Sequence, residues 1–313
     1  QIKEQNNFIT LMDEISRYSP AEIVVNEMMY NSTQEIEKIR ERFHCYISML
    51  EEEHFDAEYE LFEAKYEVVD ENEQKIEDMK EQLFCIAASN GLLHYLKETQ
   101  KNNLDYIHKV YLYRTTHYMN LDINARRNLE ITEKLRDKSK KGTLLWVLDK
   151  TSTSMGGRLL RRWLNDPLVD VCRINQRLEA VKELKEDIIL RGDIIDSLKK
   201  VYDIERLAGK ISYGSANARD LISLKNSARQ LPDVKRILSG TKTPLLQQLY
   251  QELDTLEDIE QIIDKAIVDD PPISVKEGGI IKLGYNEEID HLKTATTDGK
   301  NWVLDIESKE REA

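Results

Sequence analysis

Two glycine pairs are the positions at which a phosphate-binding loop could form in this sequence of 313 residues. They are Gly156-Gly157 and Gly278-Gly279, and Gly240 is a third, single candidate. A P-loop also requires the pattern G-x-x-x-x-G-K-[ST], because the lysine and the hydroxyl hold the phosphates and magnesium. None of these positions carries that lysine and hydroxyl. We therefore predict turns and close helix packing there, with no cofactor bound by this chain.

Acidic and histidine side chains are the other groups that could do chemistry. The acidic triplet at residues 51–53 and the pair Asp203 and Glu205 could hold a metal or act as acid and base. Neighbouring residues on a helix point about 100° apart, and divalent metals need oxygens that converge from several elements. The six histidines are scattered, without an H-x-x-x-H pattern. We predict solvated acidic faces, no metal site and no catalytic residue.

Three arginines are the candidates for a nucleic-acid contact. Arg158, Arg161 and Arg162 are spaced i, i+3 and i+4, so they share one face of a helix. Residues 134–173 hold 10 basic and 4 acidic residues, although the whole chain has a net charge of −13. An overall acidic balance argues against a chain whose main role is to grip phosphates. The alternatives to a DNA contact are pairing with an acidic helix and simple solvation.

The composition predicts a mainly α fold. Hydrophobic residues make up 40% of the chain and charged residues 33%, with 12 Gly and 6 Pro, which is too few chain-breaking residues for an all-β protein. Cys45, Cys85 and Cys172 lie far apart without a C-x-x-C pair, so neither a disulfide framework nor a zinc motif is predicted. These cysteines and the absence of a signal-like or membrane-spanning apolar run favour a cytoplasmic protein.

The first part of the chain alternates between helix and strand patterns. Residues 8–15 have apolar side chains at helical spacing, residues 23–25 are β-branched, and an acidic helix is predicted from Thr33. Residues 51–82 are charged and helical in pattern, and a more apolar helix covers residues 84–96. Residues 110–113 and 118–121 are predicted to be short strands joined by a polar turn.

From Thr143 onward the pattern is almost wholly helical, and one helix is predicted to end before Pro167. Three apolar stripes are each assigned to one helix face. They are Ile174, Leu178, Val181, Leu184 and Ile188; Leu221, Leu224, Ala228 and Leu231; and Leu249, Leu253, Leu256, Ile259, Ile263 and Ala266. A further long helix is predicted after the turn at Gly278-Gly279.

Five motifs in residues 121–290 resemble the MutS family of DNA mismatch-repair proteins. They are LDINARRNLEI (121–131), GTLLWVLD with TSMGGRLLRRWL (142–149 and 153–164), DIERL (203–207), ARDL (218–221) and GGIIKLGYNEEID (278–290). Ala125 departs from the family pattern, which has threonine before the arginine pair. Residues 15–26 and 91–100 show a looser similarity to the family's connector domain.

The resemblance implies a division into three parts. Residues 1–100 would be the C-terminal part of an α/β connector domain, residues 101–275 a helical core or lever domain, and residues 276–313 the start of a clamp helix. In the family, other domains recognise the mismatch and hydrolyse ATP with magnesium. The missing initiator methionine and the end at Ala313 within a helical pattern also lead us to expect a fragment.

The resemblance further implies a scaffold that couples DNA clamping to an ATPase outside this chain, and the chain itself is not expected to be an enzyme. The partners implied for the full-length protein are mismatched double-stranded DNA, a MutL-like matchmaker and a second copy of the same protein. One alternative is a protein-interaction module that docks the MutL-like partner through the connector. Another is a hydrolase, which would require buried acids that converge in a cleft.

Overall fold

A computed structural model describes residues 7–56, 66–69, 75–76, 83–100, 104, 107–113, 118–119 and 121–312. The chain forms two units, each with its own core. Unit 1 contains Gln1–Lys150 and Gly157–Ile174, and unit 2 contains Thr151–Gly156 and Asn175–Ala313. None of the described helices is long and apolar enough to cross a membrane. The domain bounds at residues 100 and 275 stay a prediction.

Unit 1 begins with alternating helices and strands. In chain order these are α1 (Asn7–Tyr18), β1 (Glu22–Asn26), α2 (Glu27–Tyr30), α3 (Thr33–Phe43), β2 (Tyr46–Leu50), a 3-10 turn (Glu52–His54), β3 (Glu67–Val69), α4 (Leu83–Gln100) and β4 (Lys109–Tyr111). The helices α5 (Ile123–Asn128) and α6 (Leu144–Leu148) follow, and α7 (Ser154–Asn165) belongs to unit 1 from Gly157 onward. The predicted end of α7 before Pro167 is confirmed.

The first core of unit 1 forms where α1 and α3 cover a parallel strand pair. β1 and β2 pair with Glu22 opposite Tyr46 and Asn26 opposite Leu50. A parallel pair needs a crossover connection, and α2 and α3 supply it. The buried side chains are Met12, Ile15, Val25, Ile36, Ile39, Cys45 and Ile47. The predicted order of helix, strand and acidic helix is therefore confirmed.

A second parallel pair, β3 with β4, corrects two predictions. Val68 and Val69 are buried in β3, so the predicted helix over residues 51–82 is wrong at residues 67–69, where β-branched side chains pack in a sheet. The second predicted strand, at residues 118–121, is reduced to one antiparallel bridge between Tyr118 and Leu168. Residues 57–65, 70–74, 77–82, 114–117 and 120 lie outside the described part of the chain.

Unit 2 is helical. Its helices are α8 (Val171–Glu186, in unit 2 from Asn175), α9 (Ile188–Leu198), α10 (Ile204–Ser212), α11 (Ala218–Ala228), α12 (Leu231–Leu238), α13 (Pro244–Glu252), α14 (Glu257–Ala266) and α15 (Glu287–Glu312), with a 3-10 turn at Val275–Glu277. The mainly α fold with a smaller α/β part is confirmed.

The largest core of unit 2 forms between α11 and α14. Asn217 begins α11 with a capping box, in which its side chain and that of Asp220 each accept a hydrogen bond from the other's backbone N–H. Leu207, Ala218, Leu224, Ile263, Ala266 and Ile267 are buried together. Leu224 lies on the predicted core face, and Leu231 is also buried, although it begins α12 because α11 ends at Ala228.

Two of the predicted apolar stripes are wrong in part. Leu178 and Val181 of α8 are 59% and 60% exposed, because α8 packs through Ala180 and, from the predicted stripe, Leu184. Ile188 belongs to α9, since the side chain of Asp187 caps that helix by accepting a hydrogen bond of 2.9 Å from the N–H of Leu190.

The stripe from Leu249 to Ala266 forms two helices and not one. α13 ends at Glu252, and Leu256 has a left-handed backbone with a φ of 53°. The side chain of Asp254 accepts a hydrogen bond of 3.0 Å from the N–H of Leu256, which offers the backbone a local alternative to the helix. The predicted long helix after the glycine pair is confirmed as α15, and both glycines have positive φ in the turn before it.

Replacing Leu224 by alanine should lower the free energy of unfolding by about 2 to 5 kcal/mol, because a buried leucine leaves a cavity when truncated. Leu178→Ala is the matched control, since that leucine is exposed. Urea titration followed by circular dichroism measures both variants. Equal effects of the two substitutions would place the α11 face in solvent.

Candidate functional site

The side chain of Arg17 is the centre of a polar joint in unit 1. It lies near the end of α1, and only 7% of its side chain is exposed. Its Nε donates a hydrogen bond of 2.6 Å to Oδ1 of Asp166, which follows α7. Its Nη1 donates a second hydrogen bond of 3.3 Å to Glu14 on the preceding turn of α1. The arginine therefore links residues that are 149 positions apart in the sequence.

Three tyrosine rings surround the same guanidinium. Its carbon lies 4.7 Å from the ring centroid of Tyr118, 5.2 Å from that of Tyr113 and 5.5 Å from that of Tyr18. These distances are within the range of cation–π attraction. The hydroxyl of Tyr113 also donates a hydrogen bond of 3.1 Å to Glu14. The rings replace water around a charge that would be costly to bury alone.

Backbone contacts fix the segments that meet at this joint. The N–H of Met119 donates a hydrogen bond of 2.8 Å to the carbonyl of Pro167, beside the bridge between Tyr118 and Leu168. The N–H of Ile123, at the start of α5, donates a hydrogen bond of 3.3 Å to the side chain of Asp13 on α1. The joint thus holds α1, the residues around Tyr118 and the segment after α7 in one arrangement.

The protonation of the joint follows from burial and from its acidic partners. Burial alone would lower the pKa of Arg17, but the hydrogen bond and charge of Asp166 outweigh it, and the pKa is raised. Burial is the largest cause that raises the pKa of Tyr113, and hydrogen bonding to Tyr18 adds to it. Burial lowers the pKa of Arg126, as does the nearby charge of Arg17. Arg17 is charged and Tyr113 neutral at physiological pH.

Lys225 forms a second polar centre, in unit 2. Its side chain is 2% exposed within the α11 and α14 packing. Its Nζ donates hydrogen bonds of 2.8 Å to Asp269 and 3.2 Å to Asp264. Arg229, the residue that follows α11, donates to Asp264 at 2.8 Å and also to Glu260. Lys225 of α11 and Arg229 at its end therefore pair with acidic residues of α14 and of the segment after it.

The same network reaches the base of α15. Residue Ile267 forms an antiparallel bridge with Ile281, flanked by hydrogen bonds from Val268 N–H to Ile280 and from Lys282 N–H to Ala266. The ammonium of Lys282 lies 3.8 Å from Asp264 and 3.9 Å from Asp269. The chain that leads into α15 is therefore held against α14 by backbone and charge together.

A lysine within α15 completes this attachment. Lys293 lies two turns into the helix, and its Nζ donates a hydrogen bond of 2.6 Å to the carbonyl of Ile281. The side chain of Asp290 accepts a hydrogen bond of 2.7 Å from the N–H of Gly284. We call the set Lys225, Arg229, Glu260, Asp264, Asp269 and Lys282 the charge anchor. It connects α11 and α14 with the base of α15.

Ionisation in the charge anchor favours the paired state. The hydrogen bond from Lys225 is the first cause that lowers the pKa of Asp264 and of Asp269, and the charge of Lys282 acts in the same direction. Burial would lower the pKa of Lys225, but the hydrogen bonds to the two aspartates outweigh it and raise the pKa. All three groups are charged over the physiological pH range.

The predicted arginine cluster does not lie at either centre. Arg158, Arg161 and Arg162 are on α7, as predicted. Arg161 lies 3.3 Å from Glu133, and about half of each of these two side chains is exposed. Arg162 is exposed and Arg158 is half-buried. Arg161 pairs with a single acidic residue that lies outside the helices and not with the predicted acidic helix, and a DNA contact of the cluster stays a prediction.

The other sequence candidates have structural places. Gly156-Gly157 lies within α7, and Gly278-Gly279 forms the turn before α15. The side chain of Asp203 caps α10 by accepting from the N–H of Arg206. Glu205 is exposed in the first turn of the same helix. These positions have structural roles, and the absence of a cofactor stays a prediction.

Two family models match successive parts of the chain. A model described as MutS domain II matches residues 1–108, and a model described as MutS domain III matches residues 124–312. The second match alone covers more than half of the chain. The chain belongs to the MutS family. The hydrogen bond from Arg17 to Asp166 therefore connects the residues matched by MutS domain II with those matched by MutS domain III. The charge anchor lies within the residues matched by domain III.

Curated relatives are similar in sequence to almost the whole chain. A protein of Acetivibrio thermocellus named DNA mismatch repair protein MutS is 50% identical over 307 residues, which are 98% of this chain and 35% of that protein. Relatives with the same name from Ruminiclostridium cellulolyticum and Alkaliphilus oremlandii are 46% and 45% identical, over 96% and 99% of this chain. The chain spans about a third of the length of these relatives.

Sequence analysis did not identify either polar centre, although the sequence contains a signal for the one at Lys225. Lys225 follows the apolar stripe of α11 four residues after Leu221 and three before Ala228, so it lies on the buried face. A lysine on such a face requires an acidic partner, because burying an unpaired ammonium group is costly. Arg17 has no comparable signal, since its partner Asp166 is distant in sequence.

Replacing Arg17 by methionine should lower the free energy of unfolding by about 3 to 5 kcal/mol, because it leaves a buried carboxylate without its partner. Arg127→Met is the matched control, since Arg127 is exposed. Urea titration of both variants, with Asp166→Asn and the double variant, completes a double-mutant cycle. A coupling energy of zero between Arg17 and Asp166 would contradict the joint.

Lys225→Met should change how stability depends on pH. A carboxyl group with a lowered pKa stabilises the fold above its ordinary pKa of 3.8, and this contribution is lost as the pH falls through the lower folded value. The variant should therefore be less stable than the parent at pH 7, and the difference should shrink below about pH 4. The same pH dependence in both proteins would show that Lys225 does not hold these carboxylates.

The measurement is urea unfolding at intervals between pH 7 and pH 3. Methionine keeps an apolar chain of similar length, so the packing of the lysine stem is largely preserved. Lys185→Met, on the exposed side of α8, makes the same change in net charge and serves as the control. Its stability should follow that of the parent at every pH.

Proposed function

We propose that this chain is the mechanical link of a MutS-type mismatch-repair protein. It would transmit changes between a DNA-binding clamp and a C-terminal ATPase, both largely outside the chain. The relatives that carry the name DNA mismatch repair protein MutS support this proposal, because their similarity covers nearly the whole chain. The proposed partners of the whole protein are mismatched double-stranded DNA, a MutL-like matchmaker and a second copy of itself in the cytoplasm.

The observation that carries the proposal is the charge anchor at the base of α15. A helix of 26 residues can act as a lever only if its base moves with the body that drives it. Here the base is joined to α14 by a backbone bridge and to α11 by Lys225. This arrangement suits transmission better than catalysis, because the carboxylates are paired with cations and do not converge on an open cleft.

The proposal is tested with Lys225→Met in a full-length MutS protein that contains this chain. The lifetime of the protein on a mismatched duplex is measured with and without ATP, alongside ATP hydrolysis without DNA. We expect unchanged hydrolysis without DNA and unchanged binding without ATP, while the effect of ATP on the lifetime shrinks. Coupling between sites is typically worth about 1 to 3 kcal/mol, or 5- to 150-fold, so its loss is measurable.

Lys185→Met is the control in the same assay and should retain the full response to ATP. An unchanged ATP response in Lys225→Met would contradict the proposal if hydrogen exchange showed that the bridge at Ile267 had opened. A loss of hydrolysis without DNA would also contradict it, because the anchor would then serve the ATPase fold and not the link.

A second function is supported by exposed apolar side chains on α2 and β2. Met28, Tyr46 and Met49 are 74%, 71% and 48% exposed, beside acidic residues such as Glu27 and Glu51. Exposed aromatic and methionine side chains are common in protein interfaces. We propose that this surface docks the MutL-like partner. A pulldown comparing the parent chain with Tyr46→Ser tests it, and equal capture would exclude this surface.

A further inference from the structure

Residues 132–143, which lie directly before α6 in unit 1, fold back on themselves, and we call them the basic loop. The N–H of Lys134 donates a hydrogen bond of 3.1 Å to the carbonyl of Ser139, and the N–H of Lys138 donates one of the same length to the carbonyl of Lys134. Lys138 and Gly142 have positive φ values of 53° and 93°, which turn the chain within a few residues. These contacts give the basic loop a defined backbone shape.

Hydrogen bonds attach the basic loop to α6. The buried hydroxyl of Thr143 caps this helix by accepting a hydrogen bond of 3.1 Å from the N–H of Trp146, and it donates one of 2.7 Å to the carbonyl of Lys140. The N–H of Leu145 donates a further hydrogen bond of 2.9 Å to the carbonyl of Ile131. The basic loop and α6 therefore present their outer side chains from one fixed backbone.

The four acidic residues of this region are all contacted by neighbouring donors: Glu130, Glu133, Asp137 and Asp149. Two of them form ion pairs, in which Lys140 lies 2.5 Å from Asp149 and Arg161 of α7 lies 3.3 Å from Glu133. The other two accept hydrogen bonds from backbone N–H groups of the basic loop, at 2.7 Å and 3.0 Å. The carboxylates of this region therefore have partners other than the remaining cations.

Five exposed cations of the region have no ion pair in the part of the chain that the structure describes. They are Arg136, Lys138 and Lys141 of the basic loop, Lys150 after α6 and Arg162 on α7. Lys150 follows Asp149 and Arg162 follows Arg161, so the two ion pairs place both of them beside the basic loop. Cations gathered in this way create a positive potential that attracts phosphate groups.

Two tryptophan side chains lie among these cations. Trp146 of α6, between the basic loop and Lys150, is 47% exposed, and Trp163, next to Arg162, is 39% exposed. Exposed aromatic rings beside cations are typical of surfaces that bind single-stranded nucleic acid, because the rings stack on unpaired bases while the cations contact the phosphates. A duplex stacks its bases on one another and would leave the rings unused. The combination therefore favours a single strand.

We propose that the basic loop, α6 and the adjoining face of α7 form a binding site for single-stranded DNA. The five unpaired cations contact its phosphates, and Trp146 stacks on a base. Little sequence preference is expected, since every base has an aromatic face. The site goes beyond the proposed function, which concerns duplex DNA and the response to ATP, and neither rests on the other.

Binding of the 313-residue chain to a labelled oligothymidine of about 16 nucleotides is measured by fluorescence anisotropy. A duplex of the same length is measured in parallel, and the salt concentration is varied between about 50 mM and 200 mM. The variants are Arg136→Gln with Lys141→Gln, and Trp146→Leu. The matched control is Arg42→Gln with Lys97→Gln, which makes the same change in net charge at exposed positions of α3 and α4. Circular dichroism checks the fold of each variant.

We expect the parent chain to bind the single strand more tightly than the duplex. Each phosphate contact with a single strand contributes about −0.7 to the slope of log K against log salt, so four or five contacts give a slope of about −3. The double variant at Arg136 and Lys141 should reduce the magnitude of this slope by about 1.4. Trp146→Leu should weaken binding roughly fivefold or more through lost stacking, while the slope stays unchanged. The control should bind like the parent.

Four results would overturn the proposal. The first is no binding of the single strand by the parent chain at the lowest salt concentration. The second is equal weakening in the double variant and in its control, which would place the strand elsewhere on the chain. The third is equal binding of duplex and single strand with no effect of Trp146→Leu. The fourth is unchanged DNA binding in the double variant together with lost capture of the MutL-like partner, which would assign the surface to a protein.

Discussion

Burial of the positive charge of Lys225 is the constraint on which the arrangement of unit 2 depends. An ammonium group whose side chain is 2% exposed has lost most of its water, and it is stable only where carboxylates replace that water. Asp264 lies on α14, and Asp269 lies on the segment after it. The lysine can therefore be buried in one arrangement of these elements, and we infer that it specifies that arrangement more than it adds to net stability.

The joint at Arg17 applies the same physics in unit 1 with different groups. Its guanidinium pairs with Asp166 and Glu14 and is also surrounded by three tyrosine rings. Since arginine offers a planar fork and stacks on aromatic rings, lysine could not replace it without loss. In the described part of the chain, Arg17 of unit 1 and Lys225 of unit 2 are thus both buried cations that fix segments distant in the sequence.

Much of the helical fold could be predicted from the sequence, because apolar side chains at helical spacing determine it locally. The prediction was wrong where a short polar contact decided the backbone: Asp187 begins a new helix, and Asp254 breaks the stripe that contains Leu256. It also placed Leu178 in the core, because spacing alone does not show which neighbouring helix a face meets. Both polar centres depend on tertiary contacts that motif spacing does not contain.

Hydrogen exchange at single amides tests most directly whether Lys225 makes the base of α15 part of one cooperative body. In the parent chain, the amides of Val268 and Lys282, which form the backbone bridge, should open with the same free energy as the amide of Ala228 at the end of α11. In Lys225→Met, the two bridge amides should exchange much faster while Ala228 stays protected. Bridge amides that exchange freely in the parent, or that keep their protection in Lys225→Met, would contradict the central role of this lysine.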